Sequence, residues 1–266
     1  MKYVVFRGGL GNQIFQLNKA INLSLRYSGE ILLETSMIND EIFNLNITEV
    51  LSEYNIRITK NPLLSRILVF VSKFYFLRFL FRVSTDTSSH AGLFYVGYWQ
   101  KSSSFDNNFW SKISFSDQLV APMESVMIHY RQGDYLKGKN LLIYHNLGFS
   151  YYEKSLKLMK NLGLTVENAT IFSNNVHGAQ ILQNHLTAIE DFKSIEFSID
   201  SSEDDRKAFN EMSKYQSFII ANSTYSLGAA LIAKSKRPKS IIVGPKVWFR
   251  KKIFPYDILD SISYRV

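Results

Sequence analysis

The chain has 266 residues, with 31 lysines and arginines against 23 aspartates and glutamates, five histidines and no cysteine, for a formal charge of +8. With 46% hydrophobic and 14% aromatic residues it can bury a core, which argues against disorder, and its length suits one large domain or two small ones. The lack of cysteine excludes disulfides, thiolate nucleophiles, cysteine-ligated zinc and iron–sulfur clusters, and fits a reducing, cytoplasmic setting.

The first apolar run, residues 3–6, reads as a strand and is too short for the apolar core of a signal peptide, so no secretion signal is expected. A helix over 12–27 and a strand over 31–34 follow. From 35 to 117 the pattern is irregular and largely helical, with a strand at 93–96. Its most membrane-like stretch, 63–83, is interrupted by Arg66, Lys73, Arg78 and Arg82 and is not expected to span a bilayer. These cations form no single stripe, so the stretch reads either as a packed helix with snorkelling cations or as a surface that touches anionic lipid. Past 118–124 the alternation becomes regular: strands at 126–130, 170–172, 196–199, 218–221 and 241–243, and helices at 150–162, 176–184, 203–215 and 225–234, with Gly163 as a helix stop. Apolar runs separated by helix-length segments are the mark of βαβ units and a parallel sheet. The expected fold class is therefore α/β, with an N-terminal α/β half over 1–120 carrying a helical insertion, and a Rossmann-like half over 121–266 whose tail packs back.

In open α/β sheets ligands bind beyond the carboxyl ends of the strands, so the loops that follow strands carry the functional information. Arg7-Gly8-Gly9-Leu10-Gly11-Asn12-Gln13 partly matches a dinucleotide fingerprint, with Glu34 ending the next strand, but Ile14 stands where close helix–strand packing wants glycine. No P-loop occurs. In His129-Tyr130-Arg131-Gln132-Gly133-Asp134-Tyr135, strand alternation places His129 and Arg131 on one face; Gly133 lets the chain turn, and Asp134 can orient the guanidinium. That makes an anion clamp, or alternatively an Arg–Asp pair closing a turn. Ser173-Asn174-Asn175 follows a third strand. Asn222-Ser223-Thr224-Tyr225-Ser226 joins an apolar strand to an apolar helix, where hydroxyls, backbone N–H groups and the helix dipole converge; phosphate binding and ordinary N-capping both account for it. No His-Glu-x-x-His and no Asp-x-Asp is present, so no metal site is expected, and Glu203-Asp204-Asp205 reads as an acidic helix start.

Taken in order, these loops resemble the bacterial α-1,2-fucosyltransferases, glycosyltransferase family 11. Gly8-Gly9-Leu10-Gly11-Asn12-Gln13-Ile14-Phe15-Gln16 resembles the family's opening motif, and His129 to Tyr135 resembles its His-x-Arg-Arg-Gly-Asp-Tyr segment. Gly97-Tyr98-Trp99-Gln100, Tyr151-Tyr152-Glu153-Lys154, Phe172-Ser173, Asn222 to Ser226 and Pro245-Lys246-Val247-Trp248-Phe249 extend the series over nearly the whole chain.

The resemblance implies a GT-B-type fold, two Rossmann-like halves facing across a cleft, with the donor on the C-terminal half and the acceptor on the N-terminal half. It further implies inverting transfer from GDP-β-L-fucose without a metal or other cofactor, to a free or lipid-linked glycan acceptor in surface-polysaccharide or O-antigen assembly. By that motif Arg131 contacts the β-phosphate, and His129 and Asp134 complete the catalytic set by shaping the site. Asn174, Asn175, Asn222, Ser223, Thr224, Tyr225 and Ser226 would line the donor. Gly9, Gly11, Asn12, Gln13 and Trp99 would line the acceptor side, with helix capping by Asn12 and a core position for Trp99 as the alternatives. The chain departs from the family at Gln132, at Asn174-Asn175, at Ala208 and at Leu227-Gly228. Loss of acids on the nucleotide side weakens the inference to guanine and leaves open a related GDP-deoxy sugar such as colitose, or an inactive homologue. Nucleic acid is not expected as a partner, because no basic, base-stacking motif occurs. The basic clusters at 234–239 and 250–252 read as solvated surface or as peripheral contacts to an anionic inner membrane.

Overall fold

The computed structural model of the chain describes residues 1–38, 51–86, 92–100, 121–136, 138, 140–200, 202–250 and 260–266. The chain divides into two compact units, Met1–Ser116 and Asp117–Val266. Each is built on a parallel sheet, so the two expected Rossmann-like α/β halves are both present.

The first unit orders its strands β3-β2-β1-β5-β4, with β1 Lys2–Val5, β2 Ile31–Glu34, β3 Ile56–Thr59, β4 Val83–Ser84 and β5 Phe94–Tyr95, all parallel. Three strands therefore lie in or beside the region expected to be irregular and helical. Of these, β3 and β4 escaped the hydropathy pattern for physical reasons: β4 has two residues, and edge strand β3 buries Ile56 while exposing Arg57 and Ile58, so no alternation marks it. Helix α1, Leu10–Ser24, is buried along most of its length; it starts at Leu10 with extended Gly9 as N-cap, so Asn12 lies inside the first turn and does not cap the helix. Ile14 is fully packed where a dinucleotide-binding helix would need glycine. The stretch 63–83 is neither one helix nor wholly packed: α2, Pro62–Val71, buries Ser65, Leu68 and Val71, whereas α3, Tyr75–Leu80, has no buried residue.

The second unit orders its strands β11-β10-β9-β6-β7-β8, with β6 Ser125–Tyr130, β7 Asn168–Ser173, β8 Glu196–Ile199, β9 Ser217–Ile219, β10 Ile241–Gly244 and β11 Tyr264–Arg265, again all parallel. Central strand β6 is buried at all six positions, as a parallel strand covered on both faces requires, and edge strand β8 alternates exposed and half-buried residues. The connecting helices are α4 Asn140–Ile143, α5 Phe149–Asn161, α6 Val176–Thr187, α7 Asp205–Met212 and α8 Thr224–Lys236. The acidic run at 203–205 does open a helix: Asp204 caps α7 by accepting from the Arg206 N–H. Asn222 to Ser223 carry the chain into α8, whose cap is Ser223. Of the basic cluster at 250–252, Lys251 and Lys252 lie outside the described residues.

Gln16 fixes the first unit's binding loop. Fully buried, it accepts from the Arg7 N–H at 3.0 Å and donates to the carbonyls of Arg7 and Gly97 at 3.2 and 3.0 Å, joining the loops after β1 and β5. Gln16→Leu keeps the volume but strands these backbone groups, and is expected to destabilise the first unit by about 2–4 kcal/mol, read as a lower urea midpoint.

Candidate functional site

In both sheets the strand order reverses, and a reversal leaves a crevice at the carboxyl ends of the two flanking strands. In the second sheet, β6 to β8 run outward to one side and β9 to β11 to the other, so the crevice lies beyond β6 and β9. Arg131 leaves β6 there, and Asn222-Ser223-Thr224 leave β9 there. Two of the loops singled out from the sequence therefore meet by topology, with Asn174 beside them at the end of β7, where Tyr130 pairs with Ser173.

The Arg131 guanidinium lies over the Tyr135 ring, 5.3 Å from its centroid. Tyr135 stacks on Tyr144 at 3.9 Å, and its hydroxyl donates to the Asn222 carbonyl at 3.2 Å. The Asn222 amide donates to the carbonyls of His145 and Trp248 at 2.7 and 2.9 Å, tying down the segment in which Tyr144 bridges Phe249. Asn222 thus clips these segments together. Ser226 is fully buried, with its hydroxyl donating to the Ser223 carbonyl. Ser223 accepts from the Tyr225 N–H at 3.3 Å as N-cap, which leaves the start of α8 directed at the crevice. Thr224 is half-buried at that start.

His129 is 2% exposed, its ring 5.8 Å from that of Tyr225, and among the described residues its Nδ1 has no hydrogen-bond partner. Burial, and then the Arg131 charge, lower its pKa to about 3, so the imidazole is neutral at physiological pH. Burial, followed by the charge of Asp205, pushes the Tyr225 hydroxyl up, and that hydroxyl donates to the Asp205 carbonyl. Asn175 accepts from the Gly178 N–H at 3.1 Å as the cap of α6. Asn174 accepts from the Gln132 N–H at 3.3 Å. Gly133 has φ +30°, and a Cβ there would lie 2.1 Å from Asn174 Nδ2, so a larger residue would strain the turn and displace the Asn174 amide. Asp134 enters the turn Gly133–Leu136, but its side chain lies outside the described residues.

The first unit's reversal falls between β1 and β5, which brings Gly8 and Gly9 to Gly97–Trp99. Asn12 accepts from Gln100 Nε2 at 2.7 Å. Gln13, 3% exposed, donates to the Gly8 carbonyl at 2.7 Å, and its Oε1 is buried with no hydrogen-bond partner among the described residues. Gly9 is exposed and Gly11 is buried inside α1. Trp99 is 6% exposed, packed against Tyr95 and covered by the Lys19 ammonium at 4.7 Å, so its ring is part of the core and is not offered to a sugar. Asp86 accepts from the N–H groups of Tyr98 and Trp99, and Glu34 accepts from those of Ser36 and Asn61. Glu34 is therefore occupied where a dinucleotide ribose would need it. Sequence reasoning passed over Arg7, which lies over Tyr98 at 4.6 Å, and Tyr135; both were in quoted motifs, but a ring contact across many residues leaves no local pattern. Among the described residues there is no group of three or more acidic or histidine side chains able to hold a metal, and no helix long and apolar enough to cross a membrane.

No family model and no curated protein matches the sequence. Among solved structures the chain is similar to fucosyltransferase NodZ from Bradyrhizobium, at 9% identity and TM-score 0.45, covering 86% of this chain and 92% of that one. It is also similar to POFUT1 in complex with GDP, at 12% identity and TM-score 0.44 over 88% and 94% of the two chains, and to POFUT1 in complex with GDP-fucose, at 11% identity and TM-score 0.44 over 90% and 94%. At this distance the likeness assigns no activity to the chain.

The histidine gives a pH signature. Its folded value lies below the unfolded 6.5, so the unfolded chain binds a proton that the folded chain refuses; the stabilisation is complete above pH 6.5 and is lost as pH falls toward 3. Between those limits the native chain is expected to lose up to about 1.4 kcal/mol per pH unit more than His129→Gln, measured as the difference in urea unfolding free energy at pH 7 and pH 4.5. Equal slopes would show that His129 titrates normally.

Proposed function

We propose that the chain is an inverting glycosyltransferase that moves L-fucose from GDP-β-L-fucose to a hydroxyl of a glycan acceptor, the 2-OH of galactose in surface-polysaccharide or O-antigen synthesis, without a metal. The observation that carries this reading is the pairing, at one switch point, of a shelved arginine with the start of α8. An acceptor oxygen attacks the anomeric carbon, the bond to the diphosphate oxygen breaks, its electron pair leaves with GDP, and the acceptor proton passes to solvent or base. The difficult feature of that step is the charge growing on the diphosphate. A permanently charged fork and a helix N-terminus are the groups that stabilise it without a metal, and they act best when fixed beforehand. Tyr135 provides that fixing for Arg131.

His129, neutral and buried beside Arg131, is a poor proton acceptor and acts by shaping the site. Asn174, bonded to the Gln132 backbone beside Gly133, is the position at which an amide in place of a carboxylate bears on the base and sugar of the donor. That substitution is the specific reason to keep a second GDP-deoxy sugar, such as colitose, as the alternative donor. Acceptor recognition is assigned to the loops of the first unit, with Asn12 as a polar group and Gln13 holding the loop through the Gly8 carbonyl.

Titration calorimetry in EDTA is expected to show GDP binding in preference to UDP and NAD, weakened in Arg131→Ala. With a turnover assay in hand, Arg131→Ala is expected to lower kcat about 10²- to 10³-fold, or about 3–4 kcal/mol of transition-state stabilisation. An unchanged turnover would remove Arg131 from the chemistry, and binding of another nucleotide in place of GDP would remove fucose.

A further inference from the structure

From residue 54 to residue 85 the chain carries six cations, Arg57, Lys60, Arg66, Lys73, Arg78 and Arg82, and not one acidic residue. Within it, α2 is fixed from one side only. Leu68 and Val71 pack with Val5, Val83 and Val96 of the first sheet, joined by Leu77 of α3, and this contact holds both helices against the sheet. The other side is apolar and open: Leu63, Phe70, Tyr75, Phe76, Phe79 and Leu80 are all exposed, with Tyr75, Phe76 and Phe79 at 79, 71 and 74%. Single exposed apolar residues are ordinary, but a run of aromatics on two successive helices is not.

The surrounding charge selects the occupant. Arg66, Lys73 and Arg82 are exposed, and Arg78, bonded to Thr85 at 2.8 Å, lies over the Tyr75 ring at 5.4 Å. A second copy of the same face would set these cations against their own images with no acid among residues 54–85 to balance them. Aromatic rings beside long cationic side chains suit the boundary between acyl chains and anionic headgroups, where rings enter the apolar layer and ammonium and guanidinium groups meet phosphate. The basic cluster at 234–239 lacks this character, because Arg237 turns inward to the carbonyls of Ser213 and Tyr215. We infer that α2 and α3 form a peripheral membrane-docking surface that binds anionic lipid bilayers, with Phe76 and Phe79 inserted and Arg66, Lys73 and Arg82 at the headgroups. This goes beyond the proposed transfer reaction and does not depend on it.

Sedimentation of the full chain with vesicles of phosphatidylcholine alone, and with about one-third phosphatidylglycerol, tests the inference. Binding is expected only to the anionic vesicles at low ionic strength, and is expected to fall steeply by about 0.5 M salt. Phe76→Ser combined with Phe79→Ser, and separately Arg66→Glu combined with Lys73→Glu, are each expected to weaken it about tenfold or more. All four positions are exposed, so melting temperature and GDP affinity should stay unchanged, which separates failure of the docking surface from failure of the donor site. Lack of binding to the anionic vesicles, equal binding to neutral ones, or variants that bind as the native chain does would each overturn the inference. A dimer that the Phe76/Phe79 variant dissolves would overturn it too, by giving the face to a second copy.

Discussion

The candidate site depends on one buried amide. Asn222 ends the apolar run after β9, and its side chain is inaccessible to solvent, so both N–H donors must be satisfied within the protein. They reach the carbonyls of His145 and Trp248, two segments far apart in sequence, while its own carbonyl takes the hydroxyl of Tyr135. Because Tyr135 lies beneath Arg131 and is itself stacked on Tyr144, the clip at Asn222 also holds the ring over which the guanidinium lies. A cation held this way needs no rearrangement when charge develops on a ligand, which is the condition under which charge stabilisation accelerates a reaction.

The strand-order reversal supplies the rest. A parallel sheet whose chain turns back past its first strand must leave the loops of β6 and β9 diverging, and a diverging pair opens a crevice instead of a closed turn. On one side Gly133, at φ +30°, turns the chain past Asn174; on the other, Ser223 caps α8 and leaves the start of the helix facing the crevice. His129 sits behind both, buried and neutral, with an Nδ1 that finds no hydrogen-bond partner among the described residues. An orphaned polar atom is costly in a core, and such costs are tolerated where they serve a site.

Much of this was legible in the residues. The loop segments around Arg131 and Asn222 stood out because polar residues rarely interrupt apolar strands without a reason, and the βαβ rhythm placed them at strand ends. The roles within those loops were not legible. Asn222, Asn175 and Ser226 have the chemistry of ligands and are bonded as clip, cap and core bond; for Asn222 the partners, His145 and Trp248, lie up to 77 residues away and leave no local pattern. Trp99 could be a stacking platform by composition alone, and only packing shows Lys19 and Tyr95 covering it. Strands β4 and β11 are two residues long, too short for any period to register.

The two switch points share a topology and differ in the side chains that their loops carry. In the first unit the loop after β5 is closed by the carboxylate of Asp86 on the N–H groups of Tyr98 and Trp99, and the loop after β1 gives its Arg7 N–H and carbonyl to Gln16. The start of α1 lies in the same loop, with extended Gly9 as its N-cap and no side chain bonded to its first turn. Arg7, the nearby cation, is turned onto the Tyr98 ring. Gln13 is buried there and donates to the Gly8 carbonyl, and Asn12 accepts from Gln100. In the second unit the corresponding loops carry Arg131 and a helix N-terminus, with the α6 start capped by a neutral asparagine instead of an acid. Asn175 and Ser223 cap α6 and α8 with neutral groups, so neither cap offsets the charge that Arg131 brings to that crevice.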